Sequence, residues 1–84
     1  MFDIEFSRQA ISFLKKADKT LAERILSKIE LLKTEPVGHD AKRIVGMEKV
    51  FRVRVGDYRI LYTLSWDLRK ILVHKIDKRA RVYK

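Results

Sequence analysis

The chain has 84 residues, 46% of them hydrophobic, enough for one small core and too few for two. It contains no cysteine, which excludes both a disulfide framework and a cysteine-held metal site. Its net charge of +9 is segregated: residues 1–41 hold seven Lys/Arg and seven Asp/Glu, whereas residues 42–84 hold thirteen and four.

The opening MFDIEFSRQ lacks the charged-then-apolar order of a signal peptide, and no later apolar run nears the roughly 18 residues of a membrane span. A single cytoplasmic domain over residues 1–84 is therefore expected, with no membrane partner. Within the opening, Phe2, Ile4 and Phe6 alternate with Asp3 and Glu5, the period of a half-buried strand. Ser7 stands where an N-cap belongs, ahead of Ala10, Ile11, Leu14 and Ala17 at helical spacing. A second helix is expected to start near Asp18 or Thr20, the latter through a Thr20-x-x-Glu23 capping box. Its apolar stripe is Leu21, Ile25, Ile29 and Leu32, broadened by Leu26, and it should stop before Pro36. The short break between the helices predicts an antiparallel pair.

Residues 35–49 hold the single proline and two of the three glycines and read as a connector. Strands are expected near 50–55, 58–65 and 69–76, with the second turn near Trp66 and Asp67, before a basic tail, KRARVYK. The order predicts an α+β domain. An N-terminal strand, an antiparallel helical hairpin and a three-stranded antiparallel meander form one sheet, with the helices on one face.

The stretch FRVRVGDYRILY, residues 51–62, carries the most information. A two-residue loop at Gly56 and Asp57 sets Val55 against Tyr58, Arg54 against Arg59 and Val53 against Ile60. Strand alternation then puts Phe51, Val53, Val55, Tyr58, Ile60 and Tyr62 on the helix side and Arg52, Arg54 and Arg59 on the other. Like charges directly opposite on a ladder are destabilising, yet a slip of one residue would bury arginine. An anion between the guanidinium groups accounts for the pairing; arginines splayed into water over an exposed face are the plainer alternative. Lys78, Arg79 and Arg81, followed by Tyr83, add the mixture of charge and stacking that holds single-stranded nucleic acid.

Other chemistry is sparse. His39 falls in the connector, where solvation is expected, and His74 falls in the last strand, near Arg59 in one register and turned away in another. No histidine–carboxylate spacing suggests a metal, no glycine-rich loop suggests a nucleotide, and no cofactor is expected. The arginine face is expected to lack a carboxylate able to act as general base. Arginine itself stabilises a phosphorane but is protonated at any ordinary pH, so a nuclease of this kind would need its RNA positioned for it.

Taken together, FDIEFSRQAISFLKK, the second helix, the connector to Val45-Gly46-Met47, FRVRVGDYRILY and KRARVYK resemble the RelE toxins of type II toxin–antitoxin systems, within the RelE/ParE superfamily. The aromatic-Arg-x-Arg-x-Gly-Asp-Tyr-Arg-x-x-Tyr pattern carries the resemblance, and the Tyr-Lys ending is similar to that of archaeal members. It implies the RelE-like microbial ribonuclease fold and a ribosome-dependent endoribonuclease. Such an enzyme cuts mRNA in the ribosomal A site by attack of the 2′-oxygen on the adjacent phosphate. The residues it would carry over as catalytic are Arg52, Arg54, Arg59, Arg79 and Tyr83; Lys42, Arg43, Lys78 and Arg81, from the basic half of the chain, are expected to bind RNA. Arg52 and Arg54 fall where bacterial members often have lysines, which leaves the general base open. The implied partners are an acidic RelB-like antitoxin, the ribosome with its mRNA, and operator DNA through the antitoxin complex. Two other readings stay open: a ParE-like inhibitor of DNA gyrase without nuclease activity, and a catalytically weak member that mainly binds its antitoxin and operator.

Overall fold

Two side-chain caps set the helices. Ser7 accepts a hydrogen bond from the Ala10 N–H (3.1 Å) and opens α1 (Arg8–Lys16); Asp18 accepts one from the Leu21 N–H (2.8 Å) and opens α2 (Lys19–Leu32). Of the two expected starts for α2, Asp18 is the one realised. The structure, a computed structural model, describes residues 1–38, 41–44 and 49–78. His39, the Val45-Gly46-Met47 segment and the tail residues Arg79, Arg81 and Tyr83 lie outside the described residues.

The strands are β1 (Asp3–Phe6), β2 (Lys42–Arg43), β3 (Val50–Val55), β4 (Tyr58–Ser65) and β5 (Lys70–Lys78), arranged in one sheet in the order β1-β5-β4-β3-β2. The fold is α+β, with the meander and helical hairpin as expected. It differs in having a fifth strand, since the connector pairs Lys42 with Arg52 and Arg43 with Phe51. The sheet is also mixed, because β1 runs parallel to β5. A parallel neighbour needs a long connection, and everything from α1 to β4 lies between these two strands.

The hairpin has the predicted register: Val55 against Tyr58, Arg54 against Arg59, Val53 against Ile60. Gly56 takes φ +59° while Asp57 does not turn positive, the pattern of a type II′ turn with glycine in its first central position. The buried face of the meander carries Val53, Ile60, Tyr62, Leu64, Ile71, Val73 and Ile76, and α2 covers it with Ile25, Ile29 and Leu32. Leu26 is more exposed than the expected stripe implies, so the buried stripe of α2 is the narrower one.

Tyr62 shows how this core is tied to the chain around it. Its ring is wholly buried beside Phe51, and its hydroxyl donates to the Pro36 carbonyl at 2.6 Å, fastening the exit from α2 to the middle of the sheet. Tyr62→Phe should lower the unfolding free energy by about 1–3 kcal/mol, the cost of a buried acceptor left without its donor. Urea denaturation checks this, and an unchanged midpoint would show that the carbonyl finds another partner.

Candidate nucleic-acid interface

The face of the sheet away from the helices is built by strand alternation. Across it run two rows of residues set by the ladder registers. One row is Lys42, Arg52, Leu61 and Lys75, from β2 to β5; the other is Arg54, Arg59 and Asp77, from β3 to β5. Neighbouring strands lie about 4.8 Å apart, so five cations share a small surface. Two of the cross-strand pairs, Lys42 with Arg52 and Arg54 with Arg59, set like charges directly opposite.

A β-bulge completes the surface. Leu61 pairs with Lys75 and Tyr62 with Val73, which leaves His74 as the extra residue on β5. Val73 and Ile76 are buried, while His74 and Lys75 between them are both exposed. His74 therefore lies on the arginine side, where its Nε2 pairs with Thr63 Oγ1. The start of α1 holds the bulged strand where β1 has ended. The Ser7 N–H donates to the Val73 carbonyl (2.9 Å) and its hydroxyl to the His74 carbonyl (2.6 Å). Gln9 takes the place of a strand neighbour: its Nε2 donates to the Ile76 carbonyl (2.9 Å) and its Oε1 accepts from the Ile76 N–H (3.0 Å).

Past the bulge, Asp77 stands opposite Arg59, whose Nε donates to Asp77 Oδ1 at 2.9 Å; Lys75 Nζ lies 3.7 Å from Oδ2 of the same carboxylate. The expectation of an arginine face without a carboxylate is corrected here. The bulge shifts the alternation by one, so Asp77 faces outward rather than toward the helices.

Of the residues singled out from the sequence, Lys42, Arg52, Arg54 and Arg59 share this face. Arg43 and Lys78 do not. Arg43 pairs with Phe51 and places its guanidinium carbon 5.6 Å from that ring's centroid, a cation–π contact on the helix side. Lys78 pairs with Tyr58, also on the helix side of the alternation. Lys75, His74 and Asp77 are the additions. The spacing Ile71-x-Val73-x-x-Ile76, two and then three, was the signal available for them, since an unbroken strand would keep a period of two.

A family model described as the ParE toxin of the type II toxin–antitoxin system parDE matches residues 4–83. A candidate toxin named RelE1 from Methanocaldococcus jannaschii is 35% identical over 86 residues, covering 99% of this chain and 96% of the relative. The chain belongs to the RelE family of type II toxin–antitoxin toxins. Its fold superposes on RelE in an archaeal RelE–RelB complex from Pyrococcus horikoshii OT3 with a TM-score of 0.85. The identity there is 27%, over 96% of this chain and 98% of that one. The isolated E. coli RelE toxin has the same fold, with a TM-score of 0.86 at 19% identity over 98% and 88% of the two chains. On this RelE-family chain two pairs of cations stand opposite each other across the ladder, Lys42 with Arg52 and Arg54 with Arg59, and Arg59 also holds Asp77.

That pairing has a measurable consequence. Arg54→Gln should raise the stability of the free protein by about 0.2–1 kcal/mol at low salt, because it relieves the crossing with Arg59. The gain should shrink as salt is added. Denaturant melts at two ionic strengths check this, and a less stable variant would mean that Arg54 is favourably placed without any anion.

Proposed function

We propose that this chain is a ribosome-dependent endoribonuclease that inhibits translation by cutting mRNA in the ribosomal A site. The observation that carries the reading is the pair of like-charge crossings on one solvent face, Lys42 with Arg52 and Arg54 with Arg59. A phosphodiester in transit to a phosphorane gains negative charge, and guanidinium groups fixed around it favour that state over the ground state. In this reading the whole chain, residues 1–84, acts as one toxin domain. Arg52, Arg54 and Arg59 surround the scissile phosphate, and Lys42 and Lys75 extend the track of positive charge. From the sequence alone, Arg79 joins the phosphate cluster, Arg81 adds to the RNA track and Tyr83 stacks on a base. Arg43 and Lys78, on the helix side, stand outside the cleavage centre.

The 2′-oxygen attacks the neighbouring phosphorus and the bond from phosphorus to the 5′-oxygen breaks. The products are a 2′,3′-cyclic phosphate and a 5′-hydroxyl; the 2′-hydroxyl loses a proton and the departing 5′-oxygen gains one. The ribosome supplies alignment of the attacking oxygen, worth about 7–11 kcal/mol in favourable systems. Between catalytic events an acidic RelB-like antitoxin would cover the cations, as RelE–RelB complexes of relatives suggest. Binding to operator DNA would go through that complex.

The family-model description keeps one other reading in play, a ParE-like toxin that inhibits DNA gyrase and cuts no RNA. Arg59→Ala and Arg79→Ala separate the two. Each should lower cleavage of ribosome-bound mRNA by about 100- to 1,000-fold, as removal of one charge-stabilising donor typically does. Both should still bind the antitoxin and should no longer arrest growth. Variants that stay toxic and stop DNA synthesis would favour gyrase as the target.

A further inference from the structure

Asp77 is the single acidic residue in strands β2 to β5, which together carry eight Lys/Arg. It stands opposite Arg59, receives that residue's Nε hydrogen bond at 2.9 Å, and both side chains are about two-thirds or more buried, at 31% and 28% exposed. On the other flank of Arg59, in the same row, is Arg54. An arginine with a like charge on one side and a carboxylate on the other is pulled toward the carboxylate. Binding through Nε, rather than through the tip alone, also fixes the plane of the guanidinium.

We infer that Asp77 is a positioning residue: it draws Arg59 toward β5, away from Arg54, and sets the orientation in which its guanidinium meets the RNA phosphate. The inference rests on the proposed cleavage reaction and names a residue that the catalytic assignments leave out. The backbone supports this role as well. Gln9 clamps Ile76 through both its N–H and its carbonyl, and Ser7 holds Val73 and His74, so the strand that presents Asp77 is anchored on its far edge. A carboxylate kept merely for solubility would need none of this. A carboxylate occupying the phosphate site as a competitor is the opposing account, and it predicts the opposite sign of effect.

The test uses Asp77→Ala and Asp77→Glu in the full chain, alone and combined with Arg59→Ala. Single-turnover cleavage of mRNA on purified ribosomes is measured across toxin concentration. Asp77→Ala should lower the maximal rate by about 10- to 100-fold, the usual cost of losing a group that orients another, with the half-saturating concentration within about twofold of wild type. Asp77→Glu should recover most of the loss. In the Arg59→Ala background the Asp77→Ala change should have no further effect, because it acts through Arg59. A separate readout is the NMR signal of the Arg59 Nε–H, distinct in the wild type and merged with the exposed arginines in Asp77→Ala. Cleavage equal to or faster than wild type in Asp77→Ala overturns the inference, as does an undiminished loss in the Arg59→Ala background.

If the wild type itself leaves ribosome-bound mRNA intact, the proposed function fails, and inorganic phosphate titrated against the Arg59 signal decides the inference. A response in the wild type that is lost in Asp77→Ala upholds the positioning of Arg59 toward an anion. Equal responses, or none in either protein, overturn it.

Discussion

The structure depends on an unequal contest across the β3–β4 hairpin. On its helix side, Val53, Ile60 and Tyr62 are almost fully buried, and each side chain of this size contributes about 1.5–3 kcal/mol by leaving water. On its other side the same register forces Arg54 against Arg59, at a cost of about 0.2–1 kcal/mol. Burial wins by a wide margin. A slip of one residue would relieve the arginines only by exchanging the two faces. The register that brings these cations together is thus held by the core behind them and needs no contact on the cationic face to maintain it.

The bulge on β5 modifies that surface. By giving two consecutive residues, His74 and Lys75, to the solvent face, it changes the side on which every later residue of the strand falls. Asp77 comes out beside Arg59 as a result, and the row Arg54, Arg59, Asp77 acquires its one negative member. Ser7 and Gln9 of the α1 start stabilise the irregular strand through side-chain hydrogen bonds to its main chain. One short segment therefore caps a helix, ends a parallel pairing and supports the site's edge.

The parts of this fold legible in the sequence are those governed by local rules. Ser7 is a cap by residue type and position, and Gly56-Asp57 sets the hairpin register because a two-residue loop leaves no freedom to shift it. The face shared by Arg52, Arg54 and Arg59 followed at once. What depends on distant segments was not legible. The parallel β1–β5 pair joins residues nearly the whole chain apart, and β2 exists because Lys42 and Arg43 find an open edge on β3. Asp77 was not legible for two reasons: the last strand is expected to end at 76 but runs to Lys78, and one bulge reverses its alternation, although Ile71, Val73 and Ile76 carry the trace of it. Charge alone does not tell on which side of the sheet Arg43 and Lys78 fall; the register sets them on the helix side of the alternation, apart from the arginine rows.

A cationic surface maintained against its own repulsion is suited to an anion supplied from outside, and in the proposed mechanism the ribosome delivers that anion already aligned. In that mechanism the work is divided: the toxin stabilises charge and the ribosome orients the attack. The most direct measurement is to induce the protein in cells that carry a translated and an untranslated copy of one transcript and to map the new 5′ ends. The account predicts cuts within codons of the translated copy and none in the other. Equal cutting of both copies would contradict the dependence on the ribosome, and growth arrest with neither copy cut would contradict the nuclease.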